Sequence, residues 1–223
     1  MTMLSMDTAL QALSVAVVSG GRAVVTLMVD EPNRHDELLV PLVHDALRIS
    51  RTSMNEIDAV AVAEGPGSFT GLRIGIAAAK GFAIARGMKL VLVPTMQAMA
   101  ERVARMTGCE MRVRFVLDAR RGDVYTALYE ISGGGWSELE PAGTASLSTL
   151  ADGLTEDTAV AGDAQSLAAF PASAHRLPPD LCTYDAVDIA RVACRKLALG
   201  ETADPAACEP LYLREFVTTR PVK

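Results

Sequence analysis

The chain has 223 residues, half of them hydrophobic and 22% charged, which supplies apolar material for a core and excludes a highly charged, disordered chain. Twenty-one basic side chains against 27 acidic ones give a net charge of −6, which disfavours a globally basic nucleic-acid binder and leaves room only for a local basic patch. Four cysteines (Cys109, Cys182, Cys194, Cys208) form no C-x-x-C pair, and three histidines form no H-x-x-H or H-x-x-x-H pair, so neither a disulfide scaffold nor a zinc site is expected.

The N-terminus shows no basic segment followed by an apolar stretch, so no signal peptide is expected. The longest small-and-apolar run, residues 74–85, contains Lys80 and is shorter than the ~20 residues a membrane span needs. A cytoplasmic protein without membrane contact is the expectation.

Residues 3–6, 13–18 and 23–29 are β-favouring runs, and Gly20-Gly21 between the last two reads as a hairpin turn. Leu38, Leu39, Leu42, Val43, Ala46 and Leu47 recur at helical spacing, with Pro41 expected in the first turn or at a kink. Residues 57–63 (IDAVAVA) read as a buried strand stopped by Gly65-Pro66-Gly67. A Gly- and Ala-rich helix over 70–86, a strand over 90–93 and a helix over 96–106 follow, so the first half reads βββαβαβα.

The second half opens the same way, with alternation over 112–117, a polar turn at 120–123 and alternation over 124–131. LSMDTALQALSVAVV (4–18) and FVLDARRGDVYTALY (115–129) both give apolar strand, Asp, polar turn, apolar strand, then a Gly-rich turn. This is a weak internal duplication. A strand over 158–162 and helices near 164–169 and over 187–199 complete a shorter second unit, while residues 210–223 show no period. Two lobes, 1–108 and 109–223, fit the actin-like, ribonuclease H-like (ASKHA) duplicated two-lobe α/β fold with its second lobe shortened. A fold by itself names no activity.

The densest local signal is Gly65, Pro66, Gly67, Ser68, Phe69, Thr70, Gly71, Leu72, Arg73, Ile74 and Gly75 (GPGSFTGLRIG). Its first two glycines permit a sharp turn, Pro66 stiffens it, and Ser68 or Thr70 can cap the following helix. No lysine follows Gly71, so this is not a Walker-type phosphate loop. A tight strand-to-helix turn and an anion site at the helix start both remain open. Along the helix, Gly71, Gly75, Ala79 and Ala83 form a ridge of small residues, beside a bulkier ridge of Ile74, Ala78, Phe82 and Ala85. A helix apolar on nearly every side is covered on more than one side, by its own core or by a partner subunit.

The segments GPGSFTGLRIG, SMDTALQALSVAV, HDELLVPLVHDAL, VPTMQAMA and LDARRGDVYTALY, in that family's order from about residue 3 to residue 130, resemble the TsaB (YeaZ) family. The resemblance implies an actin-like fold and a non-catalytic scaffold and activator in the modification that makes threonylcarbamoyladenosine (t6A) at position 37 of tRNA. Implied partners are a TsaD-like catalytic subunit, a TsaE-like ATPase, and a second copy of the chain when the catalytic subunit is absent. Contact with tRNA would be only indirect. No cofactor is expected on this chain alone, with ATP and magnesium, if present, at a junction between subunits. The implied pairing face lies on the helices over 35–49 and 70–86, with Leu38, Leu39, Leu42, Val43, Leu72, Gly75, Ile76, Ala79, Phe82 and Ala83 as candidate interface residues.

The residues support a non-catalytic role by subtraction. Where the catalytic relative carries a metal-binding histidine pair, alignment on Val93 places Thr95 and Met99, and a hydroxyl with a thioether cannot replace two imidazoles. Asp7, with Thr8 beside it, and Asp118 stand at strand ends and could make weak nucleotide or ion contact; equally, each could cap its own turn. An actin-like small-molecule kinase or ATPase using Asp7 and Asp118 is therefore the alternative, opposed by the absence of glycine after Asp7. Arg102, Arg105, Arg112, Arg114, Arg120 and Arg121 form the one basic concentration, either a tRNA contact or a solvated face laced with acidic residues.

Overall fold

A computed structural model describes residues 1–31 and 33–213; residues 214–223 of the expected second lobe lie outside the described residues. The first three strands, β1 (Thr2–Asp7), β2 (Leu13–Ser19) and β3 (Arg22–Val29), form an antiparallel meander. Helix α1 (His35–Ser50) then leads to β4 (Ala59–Gly65), helix α2 (Phe69–Arg86) to β5 (Lys89–Pro94), and helix α3 (Thr95–Thr107) closes this half. β4 lies parallel to β1, and β5 parallel to β4, so the sheet order is β3-β2-β1-β4-β5. The three central strands are buried along almost their whole length because helices cover both faces, which is why they read as continuous apolar runs. Pro41 falls in the second turn of α1, not the first, so the Glu37 carbonyl receives no amide from it.

The second half repeats the pattern. Strands β6 (Met111–Asp118), β7 (Asp123–Ser132), β8 (Gly135–Ser146) and β9 (Thr158–Gly162) form a sheet of order β8-β7-β6-β9, matching β3-β2-β1-β4 without a fifth strand among the described residues. The duplication is therefore real at the level of topology, and the second sheet is the shorter one. Strand β8 has no counterpart in the sequence reading. It is an exposed edge strand whose Glu138, Glu140 and Pro141 blur any alternation, and such residues suit a sheet edge. Three short helices, α4 (Leu147–Asp152), α5 (Ala164–Ala168) and α6 (Pro179–Cys182), precede the long α7 (Ala186–Ala198); α4 and α6 also escaped the sequence reading.

The expected split into two contiguous lobes needs correction. Helix α7 belongs by sequence to the second half, yet it packs across β1, β2, β4 and β5 of the first sheet. Residues 203–213 stay on the first sheet too, with the Ala203 amide bonded to the Leu90 carbonyl at 2.8 Å. The reason is hydrophobic: the face of the first sheet carrying Met3, Ala16, Ala61 and Val91 needs cover, and Ala186, Ile189, Ala190 and Ala193 of α7 supply it. Helix α3 touches strands of both sheets, so one continuous core runs from Met3 to Phe115 and Tyr129.

The helices α3 and α7 are also joined by reciprocal charges. The buried Glu101 carboxylate of α3 accepts from Arg191 at 2.9 Å and from Arg195, both on α7, and from the Trp136 indole of β8 at 3.1 Å. In the opposite sense, Asp188 of α7 accepts from Arg105 of α3 at 2.9 Å, while Asp185, which caps α7, accepts from Arg102 at 3.2 Å.

Candidate functional site

The GPGSFTGLRIG segment forms the turn from β4 into α2. Ser68 is the helix cap, its hydroxyl accepting from the Gly71 amide at 3.2 Å. The Ser68 amide in turn donates to the Ala9 carbonyl at 2.7 Å, and the Thr8 hydroxyl donates to the Gly71 carbonyl at 2.7 Å. The start of α2 is thus docked on the β1–β2 turn. A Cβ at Gly71 or Gly75 would run into Thr8, and one at Gly67 into Ala9, so the spaced glycines serve close approach within the chain. The tight-turn reading describes this geometry, and the anion reading loses the Ser68 and Gly71 amides, which already have acceptors.

Asp7 sits at the end of β1, almost wholly buried, in the same corner. One oxygen accepts from the Ala9 amide at 2.9 Å, closing the turn, and from the phenol of Tyr184 at 2.9 Å. Burial pushes its carboxyl up to about 6, against the opposing effect of those hydrogen bonds. Asp118 occupies the equivalent place at the end of β6 but is exposed. It accepts from the Arg120 amide at 2.8 Å, and its own amide donates to Asp163 at 2.8 Å. The two aspartates share no hydrogen-bond partner, and each caps its own turn. Tyr184 was missed by sequence reading, although the capping pair Asp185 and Asp188 just after it marks the start of α7.

The candidate interface residues divide by burial, which corrects the expected pairing face. Leu39, Val43, Leu72, Gly75, Ile76, Ala79 and Ala83 are buried in this chain's own core and present nothing to a partner. Only Leu38, Leu42 and Phe82 of that set are half-buried at the surface. The ridge Gly71, Gly75, Ala79, Ala83 faces inward because Thr8 and the sheet demand small residues there. A second row of the same helix faces out: Arg73, Ala77, Gly81 and Ala85, four apart and all exposed. Beside it on α2 stand Ile84, 64% exposed, and the half-buried Ile74 and Ala78; on α1, Val40 is 56% exposed.

Acidic side chains hold much of the arginine cluster. Arg102 and Arg105 hold α7 as described, Arg112 pairs with Asp157 at 3.3 Å, and Arg114 grips Glu140 with two nitrogens. Arg120 and Arg121 are exposed in the β6–β7 turn, both with positive φ. Thr95 and Met99 are fully buried in the core. Among the described residues, no group of three or more His, Cys, Asp or Glu side chains is arranged to hold a metal ion. No helix among them is long and apolar enough to cross a membrane.

Known proteins agree with this architecture. Residues 30–186 match the family model described as TsaD, tRNA N6-adenosine threonylcarbamoyltransferase. The tRNA threonylcarbamoyladenosine biosynthesis protein TsaB of Escherichia coli is 31% identical over 97% of this chain and 96% of its own. The solved structure of YeaZ from Pseudomonas aeruginosa superposes with a TM-score of 0.84 at 29% identity, covering 95% of this chain and 99% of that one. A dehydratase activator from Clostridium difficile, solved with bound ADPNP, has a TM-score of 0.53 at 8% identity over 90% of this chain and 97% of its own, and so shares the actin-like fold alone. With the order of both sheets, the GPG turn docked on β1–β2 and a near full-length relative in agreement, this chain belongs to the TsaB (YeaZ) family of tRNA threonylcarbamoyladenosine biosynthesis proteins.

Proposed function

We propose that the chain is a non-catalytic scaffold of the t6A machinery, pairing through the outer face of α1 and α2 with a TsaD-like catalytic subunit. The observation that carries this reading is the outward row Ala77, Gly81 and Ala85 of α2 with exposed Ile84 on the same face. Gly81 has open space where its Cβ would be, so nothing among the described residues requires a glycine there. A helix-interior glycine costs about 0.5–1 kcal/mol against alanine. Close approach of a helix from another chain accounts for it. The same face would pair two copies of this chain when the catalytic subunit is absent.

The docking of α2 on Thr8 and Ala9 argues against a phosphate seat on the β1–β2 turn, which supports the reading that this chain alone holds no nucleotide and that any ATP and magnesium would sit at a junction with other subunits. A TsaE-like ATPase would be recruited by the assembled pair, with tRNA held mainly by the catalytic subunit. The test is light-scattering size determination of this chain alone and mixed with the TsaD-like protein of its organism, followed by transfer assays on unmodified tRNA. A complex that forms, and activity that needs both chains, is the expected result. A chain that ignores its relative and hydrolyses ATP by itself would replace this reading with the kinase or ATPase one.

A further inference from the structure

The last described residues reach the family motif. After α7 the chain runs back along the first sheet, the Lys80 ammonium donating to the Cys208 carbonyl at 3.1 Å and the Leu211 amide to the Glu64 carbonyl at 2.8 Å. The Tyr212 ring then packs on Phe69 with centroids 5.2 Å apart. Its hydroxyl accepts from Nε of Arg73 at 2.9 Å, while the Arg73 guanidinium lies 3.9 Å over the Phe69 ring. The guanidinium is therefore fixed on one face by a ring and at Nε by a phenol. Its two terminal nitrogens meet no acceptor among the described residues, although the chain carries 27 acidic side chains.

We propose that Arg73 is a pre-oriented anchor for a carboxylate of the subunit that covers α2, and that Tyr212 is the residue that positions it. The inference rests on the pairing reading above. A planar guanidinium whose two terminal nitrogens meet no acceptor among the described residues matches a carboxylate with two parallel hydrogen bonds, and fixing it beforehand reduces the entropy lost on binding. Arg73 heads the exposed row that continues through Ala77, Gly81 and Ala85, so an ion pair here lies at the end of a close-packed helix contact. A nucleic-acid phosphate would also fit the fork. The small apolar residues along the same row suit a protein helix better than a sugar-phosphate backbone.

The test is titration calorimetry of the TsaD-like subunit against the full chain and its Arg73→Gln, Arg73→Lys and Tyr212→Phe variants, at two salt concentrations, with thermal unfolding of each. Arg73→Gln is expected to weaken pairing about 10- to 100-fold, the loss of a charge-assisted bidentate contact. Arg73→Lys should recover only part of this, and Tyr212→Phe should cost several-fold while keeping the ring packing. Unfolding temperatures should change little, and the salt dependence of pairing should flatten in Arg73→Gln. Wild-type pairing that Arg73→Gln leaves unchanged would overturn the anchor alone. If that variant instead lowers the affinity of the assembled pair for tRNA, Arg73 is a phosphate contact and the carboxylate assignment falls. No pairing by the wild-type chain would overturn the pairing reading itself and the anchor with it.

Discussion

The phenolic hydroxyl of Tyr184 donates to the carboxylate of Asp7 across 177 residues of sequence, at 2.9 Å, in the buried corner where β1 ends and α7 is about to begin. This bond joins the first strand to the helix that returns from the second half, and with Ala9 it satisfies a carboxylate that water does not reach. Its cost lies in ionisation. Burial holds the Asp7 carboxyl at about 6, above its ordinary 3.8, so between about pH 4 and 6 the folded chain binds more protons than the unfolded one. The contribution of Asp7 to stability therefore falls as pH rises through that window and levels off above it.

Asp7→Asn keeps an acceptor for Ala9 and Tyr184 and removes the charge. The variant should match wild type near pH 3.5, where Asp7 is largely protonated in both states, and exceed it by about 1–3 kcal/mol at pH 8. Glu64 and Asp188, also raised by burial, are common to both chains and cancel in the comparison. Thermal unfolding across that range checks it, and stability curves that stay parallel would mean Asp7 does not titrate as its burial demands.

Gly71→Ala and Gly75→Ala should damage folding, because each new methyl meets Thr8, at its backbone carbonyl or its hydroxyl. The cost is expected at about 1–3 kcal/mol or more, the range for overpacking a tight interior. Urea denaturation measures it. Gly75→Leu, an obvious choice for breaking a partner contact through a small-residue ridge, should instead give an unstable or insoluble chain.

Gly81 separates the two roles. Gly81→Ala should raise stability by about 0.5–1 kcal/mol, since the site is exposed and open. Gly81→Leu should fold normally and fail to pair, as read by light scattering. A Gly81→Leu chain that pairs as wild type does would move the interface off this face of α2.

Glu101→Ala leaves Arg191, Arg195 and the Trp136 indole without their shared acceptor. Both arginines are nearly half-exposed and can turn to water, so the expected loss is about 1–3 kcal/mol, below that of breaking a wholly buried pair. A double-mutant cycle with Arg191→Ala on denaturation midpoints should show coupling between the two sites. Additive losses would show that the arginine is a bystander.

Local chemistry in the sequence was enough to determine the order βββαβαβα, the repeat of strand, Asp and turn in both halves, and the GPGSFTGLRIG turn that marks the family. Each of these rests on neighbours in the chain: alternation, glycine pairs, a cap such as Ser68. Strand β8 escaped because an edge strand needs no buried face to impose a period. The orientation of α2 was decided only by tertiary structure, since a helix apolar on nearly every side carries no directional signal. Thr8 and Val62 against Gly75 selected the inward row and left Ala77, Gly81 and Ala85 outside. The return of α7 to the first sheet, the Tyr184–Asp7 bond and the Arg73–Tyr212 contact were likewise decided there. Their partners stand more than a hundred residues apart, and only burial of the first sheet's open face brings them together.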